Sequence, residues 1–447
     1  MANLEQHRTW IFIRSRVAAV RLALAIVSLL TVVATPAAQA QTFSVVYNFT
    51  GGADGASPFA GLTIDGGGNF YGTTFAGGGG PCQGYGHNGC GTVFKLMHSG
   101  ASWSLTPLYN FAGVTDGARP WAGVIVRPNG GLYGTTVTGG QGPCQGYQSS
   151  GCGTVFNLLP PPNAYPPTNW SETVLYRFSG GGVGALAYGK VVFDQTGSLY
   201  GTTNFGGAQG SCYQGNRCGT VWKLTPSGSG WTEQILYNFT GGADGGQPVA
   251  GLIFDQAGNL YGTTEGPSGH HGSVFQLTPS GGGWTENTLY SFKGGSDADE
   301  PWAEVIFDTS GNLYGTTFNF GVANGGTVFE LTPSGNNWIY TLVYSLSGMG
   351  AGGPVGKVIM DTAGNLYGTT RNGGVSNNGA VFKLTPSGGV WAYASLHDFT
   401  GGSDGAYPYS DLVFDANGNL YGTASQGGDL SKCGGSGCGV VFEITPN

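Results

Sequence analysis

Short runs of apolar residues, separated by glycine-rich and polar turns, repeat along most of the chain. One period holds four such runs, which in the fourth copy are Ala250–Asp255, Asn259–Thr264, Gly272–Thr278 and Trp284–Phe292. Each run has the length and the β-branched and aromatic content of a strand, and turn residues bound it on both sides. No stretch after residue 40 shows the 3.6-residue period of a helix. The pattern predicts an all-β protein.

The second run of each period carries the phrase Tyr-Gly-Thr-Thr, or Tyr-Gly-Thr-Ala in its last copy. The seven copies begin at Tyr71, Tyr133, Tyr200, Tyr261, Tyr314, Tyr367 and Tyr421. Successive copies are 53 to 67 residues apart. Seven units of four strands each match the strand count of a β-propeller with four-stranded blades. We therefore predict a single seven-bladed propeller of four-stranded blades over residues 41–447, in which the repeated phrase is the second strand.

The two ends of the repeat region complement each other. Residues Ser44–Phe49 match the fourth run of a unit, and Gly439–Thr445 match a third run after which no fourth run follows. Pairing the two would complete the last blade and remove exposed strand edges. We expect the ring to close through this N-terminal strand.

Composition and the first forty residues place the protein outside the cytoplasm. Glycine supplies 87 of 447 residues and charged residues only 9%, but an aromatic content of 13% is typical of a chain that folds. Four arginines, a run of apolar residues at Leu22–Ala34 and Ala38-Gln39-Ala40 predict a signal peptide over residues 1–40 and export to the periplasm or the extracellular space. A retained membrane anchor is the alternative. The remainder has 12 basic and 23 acidic residues, which argues against nucleic acid and anionic membrane as partners.

All eight cysteines follow the predicted signal peptide, in four pairs that are close in sequence: Cys82 and Cys90, Cys144 and Cys152, Cys212 and Cys218, Cys433 and Cys438. An even count in an exported chain favours disulfide bonds within each pair. Zinc is the competing interpretation, but no pair has a nearby histidine or second pair that would complete four ligands.

The full phrase resembles that of a known family. Asp-x-x-Gly-Asn-Leu-Tyr-Gly-Thr-Thr, then Gly-Gly, then Gly-Thr-Val-Phe-Lys-Leu-Thr-Pro, is similar to the GloVer tandem repeat, named from Gloeobacter and Verrucomicrobia. The resemblance covers residues 44–447. It implies an extracytoplasmic repeat protein, often with a C-terminal sorting anchor, and no characterised activity. The sequence ends at Pro446-Asn447 without such an anchor.

The loop that leads from one unit into the next, called the entry loop below, supplies the first candidate site. It reads Gly-Gly-x-Asp-Gly-x-x-Pro in three units and nearly so in two more, with an aromatic residue commonly following the proline. The candidate ligand-binding residues are Asp54, Phe59, Asp116, Trp121, Asp244, Asp297, Trp302, Asp404 and Tyr409. Carboxylates beside exposed rings suit a glycan, whose C–H faces stack on rings and whose hydroxyls donate to carboxylates. The alternative is that the aspartates cap turns and the rings pack between blades.

The fourth and fifth units depart most from the repeat average. Their loops carry the candidate catalytic residues Glu265, His270, His271, Asp299, Glu300 and Glu304. If they converge, they would form an acid/base pair or a metal site; solvated loop charge is the alternative. The sequence contains no nucleophile elbow, no His-Glu-x-x-His and no phosphate loop in a strand-to-helix context.

Together these patterns predict an exported monomeric propeller that binds an extracellular ligand, a glycan or a surface protein. Two alternatives remain: a polysaccharide lyase or hydrolase with its site across blades 4 and 5, and a structural or adhesive envelope component. We expect no cofactor. Bound calcium at the aspartates that head the turns after the first strands is the alternative to that expectation.

Overall fold

A computed structural model describes residues 41–445 of the chain apart from short gaps in the loops. The gaps are residues 84–86, 101, 142–143, 145–150, 162–169, 209, 211, 213–215, 268, 320, 322–324 and 347–352. The predicted signal peptide, residues 1–40, lies outside the described residues. Within the described part of the chain, no helix has the length and apolar character needed to span a membrane.

Twenty-eight strands form seven four-stranded sheets, the blades of a propeller. The first strands, nearest the axis, are β2 (Thr63–Ile64), β6 (Ile125–Val126), β10 (Val192–Phe193), β14 (Ile253–Phe254), β18 (Ile306–Phe307), β22 (Ile359–Met360) and β26 (Val413–Phe414). The second strands are β3 (Phe70–Thr74), β7 (Leu132–Thr136), β11 (Leu199–Thr203), β15 (Leu260–Thr264), β19 (Leu313–Thr317), β23 (Leu366–Thr370) and β27 (Leu420–Ala424).

The third and fourth strands are longer and lie farther from the axis. The third strands are β4 (Thr92–Ser99), β8 (Thr154–Leu159), β12 (Thr220–Ser227), β16 (Ser273–Ser280), β20 (Thr327–Ser334), β24 (Ala380–Ser387) and β28 (Val440–Thr445). The fourth strands are β5 (Ser102–Asn110), β9 (Ser171–Arg177), β13 (Gly230–Asn238), β17 (Gly283–Ser291), β21 (Asn337–Ser345), β25 (Val390–Asp398) and, for the last blade, β1 (Thr42–Asn48). Short 3-10 turns at Gly181–Val183, Gly295–Asp297 and Cys433–Gly435 lie in the loops.

The ring closes as the sequence predicts. Strand β1 pairs with β28, so the last sheet has the order β1-β28-β27-β26. Phe43 on β1 packs against Phe399 and Phe442, with ring centroids 5.9 and 5.8 Å apart, and stacks on His397. The seven-bladed, all-β fold and its closure by the N-terminal strand are thus both confirmed.

The glycine of the repeated phrase lies directly beneath an aromatic ring of the third strand. In every blade a Cβ atom added to this glycine would come within 2.7 Å of that ring. The pairs are Gly72 and Phe94, Gly134 and Phe156, Gly201 and Trp222, Gly262 and Phe275, Gly315 and Phe329, Gly368 and Phe382, and Gly422 and Phe442. Since real Cβ atoms do not approach so closely, only glycine allows the two strands to pair with the ring in place.

The first threonine of the phrase joins each blade to the next one. Its hydroxyl donates to a backbone carbonyl just before the first strand of the following blade, over 2.7 to 3.2 Å. The last of these bonds, from Thr423 to the Ala60 carbonyl, crosses the seam between blades 7 and 1. The same contact therefore runs around the whole ring.

The second threonine of the phrase forms a hydrogen bond within its own blade, and blades 6 and 7 are the exceptions. In the first five blades its hydroxyl meets a Thr or Ser hydroxyl on the third strand at 2.7 to 2.9 Å. In blade 7 both positions are apolar, Ala424 opposite Val440. In blade 6, Thr370 faces Ala380, and its buried hydroxyl has no partner among the described residues.

We expect Ala380→Thr to stabilise the protein, because the new hydroxyl would pair with Thr370 as in the other blades. A net hydrogen bond contributes about 1 kcal/mol, and the substitution also relieves an unsatisfied buried group. The change is measured as a shift of the chemical denaturation midpoint.

The matched control is Val440→Thr in blade 7, which adds the same hydroxyl opposite Ala424. Because Ala424 has no hydroxyl, the new threonine hydroxyl would be buried without a partner. We therefore expect that variant to lose about 1–3 kcal/mol of its free energy of unfolding. Stabilisation by both variants, or by neither, would contradict the role assigned to this pair.

Candidate functional site

One residue per blade lines the mouth of the central channel, four positions before the first strand. The seven are Phe59, Trp121, Tyr188, Val249, Trp302, Val355 and Tyr409, and each is half-buried. Together with deeper channel residues they line a cavity of about 90 Å³. The predicted aromatic residues are thus all at the mouth. Tyr188 was missed by the sequence pattern because Ala187 takes the place of the loop proline that marks this position in the other blades.

Aromatic rings from blades 7, 1, 2 and 3 meet in one cluster at this mouth. Trp121 stacks on Phe59, with ring centroids 4.6 Å apart, and meets Tyr188 edge-on at 5.6 Å. Phe59 also meets Tyr409 at 4.9 Å. Phe75, the residue after the first Tyr-Gly-Thr-Thr, packs edge-on against both Phe59 and Trp121. These five rings form the aromatic half of the mouth.

A second ring of positions surrounds the mouth, and its backbone is strained in every blade. The residue one position before the loop proline, or its equivalent, has φ between 53° and 63° in all seven blades. The seven are Ser57, Arg119, Leu186, Gln247, Glu300, Gly353 and Tyr407. Six are not glycine, and such a conformation costs about 1–3 kcal/mol for those residues.

Two backbone hydrogen bonds hold each strained residue in place. Its N–H donates to a carbonyl of the preceding blade, just before that blade's third strand, as from Arg119 to the Cys90 carbonyl at 2.7 Å. Its carbonyl accepts from the residue after the Tyr-Gly-Thr-Thr phrase, as from the Val137 N–H at 3.2 Å. The same two bonds recur in all seven blades. Neither uses the side chain.

The aspartates of the entry loops are engaged inside their own loops. Asp54 accepts from the Thr50 N–H at 2.8 Å, the Thr50 hydroxyl at 2.6 Å and the Tyr47 hydroxyl at 3.1 Å. The other members of the set follow the same pattern: Asp116, Asp244, Asp297 and Asp404. These carboxylates fix the loops that carry the mouth residues, as in the capping alternative. Direct ligand binding by them stays a prediction.

The four cysteine pairs form four disulfide bonds with the predicted partners, Cys82–Cys90, Cys144–Cys152, Cys212–Cys218 and Cys433–Cys438. In the first, third and seventh blades the sulfur atoms pack on the first glycine of the following entry loop, for example Gly113 over Cys82 and Cys90. In blade 4 the position of the second cysteine is taken by His271, whose ring packs on the equivalent Gly294. The bridges thus support the loops around one part of the mouth.

Blades 4 and 5 bring four of the predicted residues together. His271 Nδ1 lies 3.0 Å from Asp299 Oδ2. Glu300 follows Asp299 and accepts a hydrogen bond of 2.7 Å from the Asn319 side chain. Burial, the charge of Glu300 and the charge of Asp299 raise the pKa of Glu265 to about 7, which the nearby Trp302 indole N–H opposes. We call Glu265, Asp299 and Glu300 the acidic cluster.

The other two predicted residues of these blades lie elsewhere. His270 is exposed on the loop, whereas its neighbour His271 contacts Asp299. Glu304 lies deeper in the channel, where its carboxylate contacts the Lys357 ammonium at 2.6 Å. The sequence hypothesis that Glu304 joins Glu300 therefore does not match the geometry, because Glu304 lies two residues beyond the mouth residue Trp302 and its side chain reaches Lys357 in the channel.

Four charged side chains fill the channel below the mouth. Lys357 contacts Glu304 and lies 3.9 Å from Asp411 Oδ2. Burial alone would lower the pKa of Lys357, but these two carboxylates raise it above its ordinary value. Lys190 reaches across the channel to the Thr63 hydroxyl at 2.9 Å, and burial lowers the pKa of its ammonium. These side chains narrow the channel to the small cavity described above.

The described residues offer no obvious metal centre. Among them, no group of three or more His, Cys, Asp or Glu side chains is arranged to hold a metal ion. The aspartates that head the turns after the first strands bond to their own turns: Asp65, for example, accepts from the Gly67 and Asn69 N–H groups at 2.9 Å. These contacts account for the repeated Asp-x-x-Gly-Asn signature.

Comparisons with known proteins agree with the repeat analysis. The model of the Gloeobacter/Verrucomicrobia repeat family matches residues 31–270 and 265–447. A search of curated proteins gave no match. Similar solved structures include a hypothetical selenium-binding protein from Sulfolobus tokodaii, at 12% identity and a TM-score of 0.48, covering 69% of this chain and 74% of that one.

Two further similar structures are of proteins whose names say that they act on sugars or sugar lactones. The aldose sugar dehydrogenase from Streptomyces coelicolor, in its PQQ-bound form, is 12% identical with a TM-score of 0.40 and covers 92% of this chain and 100% of that one. The gluconolactonase from Xanthomonas campestris is 14% identical with a TM-score of 0.36 and covers 65% and 78%. The fold of the present chain follows from its own strand pairing.

The raised pKa of Glu265 predicts a specific pH dependence of stability. Between the ordinary value of 4.5 and about 7 the folded protein holds a proton that the unfolded chain releases. The stability that this group contributes is therefore complete below pH 4.5 and is lost as the pH rises to about 7. We expect the free energy of unfolding of Glu265→Gln to exceed that of the wild type by about 1–3 kcal/mol at pH 8. At pH 4 the two should be almost equal.

Denaturation midpoints at the two pH values measure this difference. The control is Asp429→Asn, because hydrogen bonds from Ser431 lower the pKa of this exposed carboxyl, the opposite direction. The control should gain no stability at pH 8. An equal effect of Glu265→Gln at both pH values would contradict the raised pKa, because the carboxyl would then titrate alike in the folded and the unfolded protein.

Proposed function

The chain belongs to the Gloeobacter/Verrucomicrobia repeat family, and we propose that it is an exported binding module for a glycan, held at the mouth of the channel. The observation that carries the proposal is the aromatic half of the mouth, in which five rings from four consecutive blades meet. Three of its members, Phe59, Trp121 and Tyr409, keep part of their surface exposed although they touch one another. Such a platform suits the C–H face of a sugar ring.

The size of the channel favours a ligand on the rim over one inside. A cavity of about 90 Å³ has room for only a few water molecules. Sites that enclose small organic ligands measure about 300–1,000 Å³. A sugar would therefore lie across the rings at the mouth, with its hydroxyls within reach of the polar side chains around them.

A wider groove lies on the opposite face, at the junction of blades 7 and 1. It measures about 750 Å³ and includes Trp103, Tyr421, Asp415 and Glu443. Its carboxylates are already engaged: Asp415 bonds to its own turn, and Glu443 accepts from the Tyr421 hydroxyl at 2.8 Å. At the mouth, in contrast, the buried Asp299 Oδ1 atom has no partner among the described residues. This unpaired acceptor favours the mouth as the ligand site.

Export is supported by the four disulfide bonds, because such bonds persist in oxidising compartments. The basic and apolar pattern of residues 1–40 points in the same direction. A glycan of the cell envelope or the surroundings is the ligand class that such a location supplies.

Trp121→Val tests the platform with a residue that the protein itself uses, since Val249 and Val355 occupy the same position in blades 4 and 6. We expect the variant to fold and to lose about tenfold in affinity for a bound oligosaccharide, because one stacking contact is worth roughly 1 kcal/mol or somewhat more. Calorimetric titration after a screen of oligosaccharides measures the effect.

The control for this experiment is Val355→Ala, which changes the same ring position without an aromatic group. It should leave the affinity unchanged. If Trp121→Val binds normally while Trp103→Val does not, the ligand lies in the groove of the opposite face. A loss of about 3–5 kcal/mol of stability on Trp121→Val would mean that the ring is a wedge between blades.

The acidic cluster favours a second candidate, an enzyme that cleaves polysaccharide. A carboxyl with a pKa of about 7, as burial gives Glu265, is suited to general acid catalysis near neutral pH, and its neighbour Glu300 could serve as the paired base. An aromatic platform beside such a pair would position the chain to be cut.

We expect no release of new reducing or unsaturated ends from any oligosaccharide that the protein binds. A measured activity that falls about 10²–10⁴-fold in both Glu265→Gln and Glu300→Gln, with binding retained, would replace the binding module by the enzyme. Incubation of each ligand with the wild type and the two variants, followed by chromatography, separates the two functions.

A further inference from the structure

We propose that the glycan carries amino groups, and that an ammonium group of the ligand lies among Glu265, Asp299 and Glu300 beside Trp302. This inference rests on the proposed function, because the sugar rings of the ligand would occupy the mouth next to this cluster. It names the chemical class of the ligand: an amino sugar polymer with unsubstituted amines.

The three residues of the acidic cluster occupy positions at which the other blades have no acidic residue. The residue equivalent to Glu265 is Phe75, Val137, Asn204, Phe318, Arg371 or Ser425 in the other blades. The residue equivalent to Asp299 is Ala56, Ala118, Ala185, Gly246 or Ala406 in the blades where the structure describes it. The blade itself therefore does not need these carboxylates, and their collection at one sector of the mouth calls for a ligand.

A buried acceptor in this sector lacks a partner, which is the second sign of a ligand. Asp299 is only 7% exposed, and its Oδ1 atom accepts no hydrogen bond from the described residues while Oδ2 faces His271. An unsatisfied buried acceptor is costly, so a donor from outside the protein would be stabilised here.

Among the residues that the structure describes, no lysine or arginine pairs with the cluster. In the described part of the chain the only ion-pair partner of the three carboxylates is His271, which faces Asp299. The repulsion is visible in the protonation equilibria: burial and the charges of the neighbouring carboxylates raise the pKa of both Glu265 and Glu300. A cation placed among them would remove this repulsion and bring both groups back toward ionisation.

The surroundings favour an ammonium group over other cations. The described side chains include no set of three acidic or histidine ligands arranged for a metal ion, whereas an ammonium group donates three hydrogen bonds over a looser geometry. Trp302 adjoins the cluster and stacks on Phe318, with ring centroids 4.2 Å apart and planes at 9°. A sugar on this ring pair would bring its substituents to the carboxylates, and a cation near an indole face gains further attraction.

Three tetrasaccharides that differ at one substituent test the proposal: the β-1,4-linked tetramers of glucosamine, of N-acetylglucosamine and of glucose. They present an ammonium, a neutral acetamide and a hydroxyl on the same backbone. At pH 6 we expect the glucosamine tetramer to bind the wild type at least about tenfold more tightly than the other two, since hydrogen bonds between charged groups are roughly twice as strong as neutral ones.

Proton release provides a readout that a merely structural role would not change. Around Glu265 the titratable groups are Asp299 and Glu300 on the entry loop of blade 5 and His271 on its own blade, with Glu304 and Lys357 deeper in the channel. At pH 6 Glu265 is mainly protonated. Binding of the glucosamine tetramer should therefore release between about half a proton and one proton per site, measured by calorimetry in buffers of different ionisation enthalpy.

Glu265→Gln and Glu300→Gln should each reduce the preference for the glucosamine tetramer to about threefold or less, and the first should remove most of the proton release. The control is Glu286→Gln on the outer strand β17, which should behave as the wild type. Its carboxyl, like that of Glu265, has a pKa raised by burial.

The outcomes separate this inference from the proposed function. Equal binding of the three tetramers, or tighter binding of a neutral one, would overturn the amine proposal and leave the glycan module intact. Binding of none of the three, nor of any oligosaccharide in the screen, would contradict both. A preference for the glucosamine tetramer that survives Glu265→Gln and Glu300→Gln together would move the ammonium site away from the acidic cluster.

Discussion

The contact between a glycine on each second strand and an aromatic ring on the third strand is the constraint on which the rest of the structure depends. Because the ring occupies the space of a missing side chain, the two strands are held at one register and one distance in all seven blades. The threonine after the glycine then meets a carbonyl of the next blade in the same way each time, from Thr73 to Thr423. Uniform blades leave the loops as the place where the chain can vary.

Much of this architecture could be predicted from the sequence because it follows from local spacing. The match between residues Ser44–Phe49 and the fourth run of a unit was enough to predict ring closure, and β1 does complete the last blade. The cysteines pair within eight residues of each other, so few pairings were sterically open. In each case the physical information lies within one repeat or at its two ends.

The arrangement of the mouth could be predicted only in part, because it depends on radial depth in the ring. Trp302 and Glu304 are two residues apart, yet one lines the mouth and the other pairs with Lys357 in the channel. Phe75 follows a second strand and was not a candidate, although it packs on Trp121. Such convergence between blades has no signature in the spacing of a single repeat.

The residues with positive φ around the mouth are held through their backbone alone. The N–H of each bonds to the preceding blade and its carbonyl accepts from its own blade, so neither bond involves the side chain. The seven side chains already range from Gly353 and Ser57 to Arg119 and Tyr407. At the partly exposed positions among them, such as Arg119 and Tyr407, a substitution changes a side chain beside the mouth while both backbone bonds stay available.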